Sequence, residues 1–199
     1  MLKEPYDFEK AKLVTKEMTD MLALSLVEKH LVTDQLILTV GYDVANLATP
    51  ELRRRYKGEI HINHYGREVP KGAHGAENLG GHTSSSLRMI EAAAAIFDRV
   101  VDRDLLVRRI TVAANHILTE NEVMRQPAGP EQPDLFTDEA AIADRQAAEE
   151  AERDREKRLQ NAILDIKHKL GRNAILKGMN LLDGATAKER NQLVGGHKE

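Results

Sequence analysis

Three groups of side chains in this sequence are of types that bind charged partners or do chemistry. The first is cationic and hydrogen-bonding: the run Arg53-Arg54-Arg55 with Lys57, then Arg67, Lys71, Arg108 and Arg109, interleaved with Thr39, His61, Asn63 and Thr111. Fixed cations and neutral donors of this kind suit phosphate oxygens, which they hold without reading a base sequence. Arg109 stands out, because arginine seldom fills a strand interior without a partner. The Arg53–Lys57 run taken alone reads as ordinary solvated surface. The second group is histidine: residues 61, 64, 74 and 82 suggest a zinc or iron hydrolase. Odd spacing puts His61 and His64 on opposite sides of a strand, and no cysteine is available, so no metal site is expected. Asp102 and Asp104 read as turn residues, and no Ser-His-Asp arrangement is evident. The third group is Gln132-Pro133-Asp134-Leu135-Phe136. An adjacent Leu-Phe pair in a proline-rich, acidic stretch is an anchor for a hydrophobic pocket on a partner, or for a return contact on this chain.

Composition narrows the classes. The chain has 199 residues, 41% hydrophobic and 31% charged, with a net charge of -3. That charge opposes a protein that coats nucleic acid by bulk electrostatics. Residues 126–169 are the acidic block, with 7 Lys and Arg against 11 Asp and Glu. No apolar run approaches the ~20 residues of a membrane span. Met1-Leu2-Lys3-Glu4-Pro5 lacks the apolar core of a secretory signal, so a cytoplasmic protein is expected. The absence of cysteine excludes disulfides and thiolate chemistry. Aromatics are only 4% and tryptophan is absent, which argues against a base-stacking platform.

The elements that must position these groups follow from periodicity. Asp7 caps a helix over about 8–30, whose apolar face runs Ala11, Val14, Met18, Leu22 and Leu26, with Lys10, Lys16, Glu17 and Glu28 off that face. A strand over 35–42 sets Leu36, Leu38 and Val40 against Ile37, Thr39 and Gly41. Residues 45–58 read as loop with one helical turn, and Glu59–Tyr65 as a short strand. Five glycines fall between Gly66 and Gly81, which reads as loop. Gly80-Gly81-His82 precedes a helix capped at Thr83; with no Gly-Lys-Ser/Thr it reads as a turn and not a phosphate loop. Asp98–Asp104 reads as a turn. A strand over 106–115 alternates Ile110, Val112 and Ala114 with Arg109, Thr111 and Ala113.

The expected fold is therefore α+β: a small antiparallel or mixed sheet of about four strands, two helices on one face, and the other face open to water or a partner. Residues 1–123 form this domain. Residues 124–137, broken by Pro127, Pro130 and Pro133, form a linker. Residues 138–170 form a long solvated helix ended by Gly171, and 171–199 a partly ordered tail.

Several stretches together resemble the C-terminal part of Y-family translesion DNA polymerases of the UmuC/ImpB/MucB/SamB type. They are Tyr6-Asp7-Phe8, Leu31–Leu36 running into Thr39–Asp43, His74-Gly75, Thr83-Ser84-Ser85, Leu105–Ile110, Asn173–Gly178 and Gly195-Gly196-His197. The pentapeptide at 132–136 resembles the bacterial sliding-clamp-binding motif, departing from it at Pro133. The resemblance implies a little finger of four strands and two helices, with a short first strand within Met1–Glu4, followed by a clamp-binding tail. It implies that the sheet face bearing Thr39, His61, Asn63, Arg109 and Thr111 holds duplex or primer-template DNA, with the neighbouring Arg and Lys residues on phosphates. The family's palm, its magnesium and its catalytic carboxylates have no counterpart here. The chain by itself is then expected to bind, not to catalyse, and to need no cofactor. The alternatives are a protein adaptor without DNA and, further off, the histidine-based hydrolase.

Overall fold

The structure is a computed structural model that describes residues 1–125, 139–194 and 197–198. Helix α1 (Phe8–Glu28) opens where the Asp7 carboxylate accepts the Lys10 backbone N–H at 2.9 Å. It ends at Lys29 and His30, whose positive φ of 54° turns the chain into strand β1 (Leu31–Tyr42). A 3-10 turn at Val44–Leu47 and helix α2 (Pro50–Arg55) follow. Then come β2 (Ile60–Ile62), β3 (Glu68–Pro70), β4 (Ala73–Thr83), α3 (Ser86–Val100), β5 (Val107–Asn115), β6 (Leu118–Thr119) and α4 (Glu120–Arg125). Helix α5 (Glu139–Leu170), helix α6 (Ala187–Arg190) and the pair β7 (Leu193–Val194) and β8 (His197–Lys198) complete the described chain.

The main sheet is antiparallel, with β1 between β4 and β5 and β6 pairing the start of β1. The expected short first strand survives as backbone contacts along the outer edge of β5. Leu2 donates to the Arg108 carbonyl at 3.0 Å, and Tyr6 bridges Val107 in both directions. Helices α1 and α3 cover one face, as the α+β expectation requires. Leu36, Leu38, Val40, Val107 and Ile110 pack there against Ala11, Val14, Met89, Ala93, Ile96 and Phe97. Phe8 meets Phe97 edge to face at 5.0 Å.

The stretch 66–81 is not loop. It holds β3 and most of β4, and β2 pairs β3 in a separate hairpin. Gly75 in β4 is a packing device. A Cβ on Gly75 would lie 2.7 Å from Ile96 and 2.9 Å from Val100, so glycine lets α3 close onto the strand. The cap of α3 is Ser85, whose hydroxyl accepts from the Arg88 N–H; Thr83 instead accepts from the Ser85 N–H. Helix α3 also runs through Asp98 to Val100, three residues into the expected turn.

Helix α5 ends as expected, with Gly171 at φ 96° donating to the Lys167 carbonyl. It is not solvated throughout. Around its middle it docks on the β4–α3 junction, where Gln160 donates to the Ser84 carbonyl and the Ser86 hydroxyl, and Lys157 pairs with Glu120 at 2.8 Å. Ile163 is buried, while Leu159 and Leu170 stay exposed. Residues 177–190 correct the expectation of a partly ordered tail, because they pack across the outer side of α1.

Candidate nucleic-acid interface

The sheet face opposite the helices is built of cross-strand rows. Thr111, Thr39 and His74 stand side by side, with Thr39 and His74 sharing a hydrogen bond of 3.1 Å. The next row is Ala113, Ile37 and Ala76. The third is an amide ladder: Asn115 donates to Gln35, and Gln35 to Asn78, each at 2.9 Å. At the other end Arg109 sits opposite Gly41, which leaves space beside its stem. Arg109 is exposed and makes no ion pair or side-chain hydrogen bond among the described residues. Thr39, Thr111 and Arg109 therefore share the open face, as their alternation predicts.

His61 and Asn63 do not share it. His61 lies on β2 of the small hairpin, where its Nε2 meets Glu59 at 2.9 Å. Asn63 holds the hairpin turn, its side-chain Oδ1 accepting from the N–H groups of Tyr65 and Arg67. The sequence alternation around 59–65 was compatible with a sheet strand, but β4 takes the edge beside β1 and leaves β2 only β3 as a partner.

The cations gather at the Arg109 end. Arg108 is half-buried at a bulge opposite Gly41 and Tyr42, with its Nε 3.7 Å from Asp43. It lines a groove of about 390 Å³ with Asn63, Tyr65 and Arg67 of the hairpin. Arg54, Arg55 and Lys57 are exposed on and after α2. Besides Arg108 and His61, two more of the expected ligands are already engaged by carboxylates: Arg53 with Glu68, and Lys71 with Glu59 at 2.7 Å. The Lys71 hydrogen bond, followed by that of His61, holds the Glu59 carboxyl below its ordinary range. Each such exposed pair contributes little by itself.

The histidines go to separate partners. His64 stacks against Tyr65 with ring centres 3.6 Å apart, and His82 keeps its Nε2 buried and unbonded. Among the described residues no group of three or more His, Asp or Glu is placed to hold a metal. The Gly80–Ser86 junction has its own anion, the Glu156 carboxylate, which accepts the Leu87 N–H at 3.1 Å at the start of α3. The segment Gln132, Pro133, Asp134, Leu135 and Phe136 lies outside the described residues.

Sequence reasoning missed Glu17, placed only off the apolar face of α1. It is 1% exposed. Its Oε2 accepts from the N–H groups of Thr186 and Ala187 and from Arg190 at 2.8–3.3 Å, and its Oε1 from Asn180 at 2.9 Å. Lys177 pairs with Asp20 at 2.5 Å and Lys10 with Asp183 at 2.8 Å. Burial pushes the Arg190 guanidinium down from its usual value, against the pull of Glu17. No local signal marks Glu17, because every one of these partners lies more than 160 positions away.

No family model, curated protein or solved structure matches this chain. No helix among the described residues is long and apolar enough to cross a membrane.

Proposed function

We propose that this chain is the DNA-holding and clamp-tethering part of a translesion DNA polymerase, similar to the little finger and tail of the Y family. The observation that carries the reading is the sheet itself. One face is packed by two helices, and the other is open, polar and cationic at one end, where Arg109 stands exposed beside Arg108 and the α2–hairpin cluster. That surface suits phosphates of duplex or primer-template DNA, whose sequence it would not read. Gln132–Phe136 would seat Leu135 and Phe136 in the hydrophobic pocket of a bacterial sliding clamp, raising local concentration at the primer terminus without added DNA contacts. In that family polymerisation and its magnesium belong to the palm, and the setting of this reading is cytoplasmic DNA damage tolerance and repair, including the SOS response.

The experiment is a titration of the chain against a bacterial sliding clamp and, separately, against duplex DNA at rising salt. The reading expects clamp binding that Leu135→Ala with Phe136→Ala abolishes, with the fold intact, and DNA affinity that falls steeply with salt. Clamp binding untouched by the double variant removes the tether.

A second reading has its own support. The net charge is -3, and both Arg53 and Lys71 are engaged by carboxylates of the same module. These favour a protein adaptor that binds a clamp or another protein and no DNA. Clamp binding without salt-sensitive DNA affinity would establish it.

A further inference from the structure

A second groove, of about 540 Å³, lies between helix α2 and the turn that joins α3 to β5. Its apolar lining is Leu52, Leu105 and Leu106 with Tyr56. Leu52 is 42% exposed and Leu106 36%, so water still wets them. Arg55 and Lys57 line the groove from the α2 side, and Asp102 and Asp104 from the α3–β5 turn. All four are exposed, and none makes an ion pair among the described residues. The lining is held in place. The Asn46 amide donates to the Leu106 carbonyl at 2.9 Å and accepts the Leu106 N–H at 2.8 Å. The Asp102 N–H donates to the Tyr42 hydroxyl, and the Asp102 carboxylate accepts the Asp104 N–H, each at 2.9 Å. Tyr56 donates its hydroxyl to the Glu59 carbonyl, and a Cβ on Gly58 would run into that hydroxyl, so glycine makes room for it.

Charges of opposite sign on the two sides of one apolar groove restrict its occupant. A phosphate backbone suits Arg55 and Lys57 but is repelled by Asp102 and Asp104, and a wholly apolar ligand leaves all four unmatched. The complement is a polypeptide that offers one large apolar side chain between an acidic and a basic residue, the pattern of an interface anchor with a charged rim. We propose that this groove docks such a segment of a partner protein. The apolar side chain covers Leu52 and Leu106, the acid faces Arg55 and Lys57, and the base faces Asp102 and Asp104, which together fix the direction of the segment. The inference goes beyond the DNA-holding reading and does not rest on it, because no residue of the groove stands in the cross-strand rows of the open sheet face.

The test pans the full chain with a phage-displayed library of random twelve-residue peptides and measures the most enriched peptide by fluorescence anisotropy. The expected result is an enriched set that shares the acid–apolar–base pattern. Leu52→Ser and Asp104→Lys each weaken the peptide at least about tenfold. Exchanging the peptide's basic residue for Glu restores binding to Asp104→Lys and weakens binding to the unaltered chain. Both positions are exposed, so the variants fold, and circular dichroism checks that they do. An enriched set without the pattern, no enrichment at all, or binding that neither variant changes overturns the proposal. Self-association of the chain that Leu52→Ser abolishes would give the groove to a second copy, and overturns it as well.

Discussion

Glu17 and Thr186 are 169 positions apart, and the Glu17 Oε2 accepts the Thr186 backbone N–H at 2.8 Å. The same oxygen takes the Ala187 N–H and an Arg190 N–H, so one carboxylate on α1 gathers the tail. Replacing Glu17 by Ala leaves these donors and the Arg190 charge without an acceptor, at a cost of about 2 kcal/mol. The tail is the part that can escape by returning to water. Tryptic cleavage at Arg172 and Lys177 is therefore expected to speed up at least about tenfold in Glu17→Ala, while the sheet domain stays folded by circular dichroism. Unchanged cleavage would show that other contacts hold the tail.

Gly75 is placed for its missing side chain. In Gly75→Ala the new methyl meets Ile96 and Val100 inside contact distance. Helix α3 then has to shift, at a cost of about 1–3 kcal/mol. Denaturant unfolding should show a lower midpoint with an unchanged slope. A neutral result would mean that α3 moves freely on β4.

Arg109 makes the cleanest electrostatic test. Arg109→Ala removes one exposed cation that pairs with nothing else among the described residues. Duplex binding should weaken by a similar factor for every sequence, and the slope of log affinity against log salt should fall by about one. A loss confined to certain sequences would point to base readout.

Glu59 supplies a pH test. Its carboxyl is held below the ordinary range by Lys71 first and His61 second. A lowered folded pKa means that the hairpin's contribution is complete above the unfolded value, about 4.3, and fades as pH falls through the lower, folded value. In an NMR titration, Lys71→Ala is expected to move the Glu59 midpoint back up toward that ordinary value. A midpoint that does not move would assign the lowering to His61.

What could be read from the sequence follows the range of each signal. The Asp7 cap, the faces of β1 and β5 and the Gly171 stop depend on residues within a turn or two of one another, and each is where its spacing predicts. Strand β4 was hidden because its inward positions, Ala73 and Gly75, are small where α3 comes close, and smallness resembles loop composition. The sheet-face site was half legible. Thr39, Arg109 and Thr111 share a face by alternation alone, but His61 and Asn63 depended on which strand took the edge of β1. Glu156 and Glu17 were beyond reach, since a carboxylate on a helix looks solvated until its distant donors are placed.

The Glu17 contact also sets an order of events during synthesis. Its donors lie between Asn180 and Arg190, the first of them 163 positions beyond the carboxylate. On the ribosome, β6 emerges long before residue 180 does, so the sheet and its two helices can fold while the outer side of α1 is still wet. Closing so long a loop adds little entropic cost over a shorter one, because that cost grows only with the logarithm of length. The tail therefore arrives late on a finished surface, as a seal applied after folding and not as part of the nucleus.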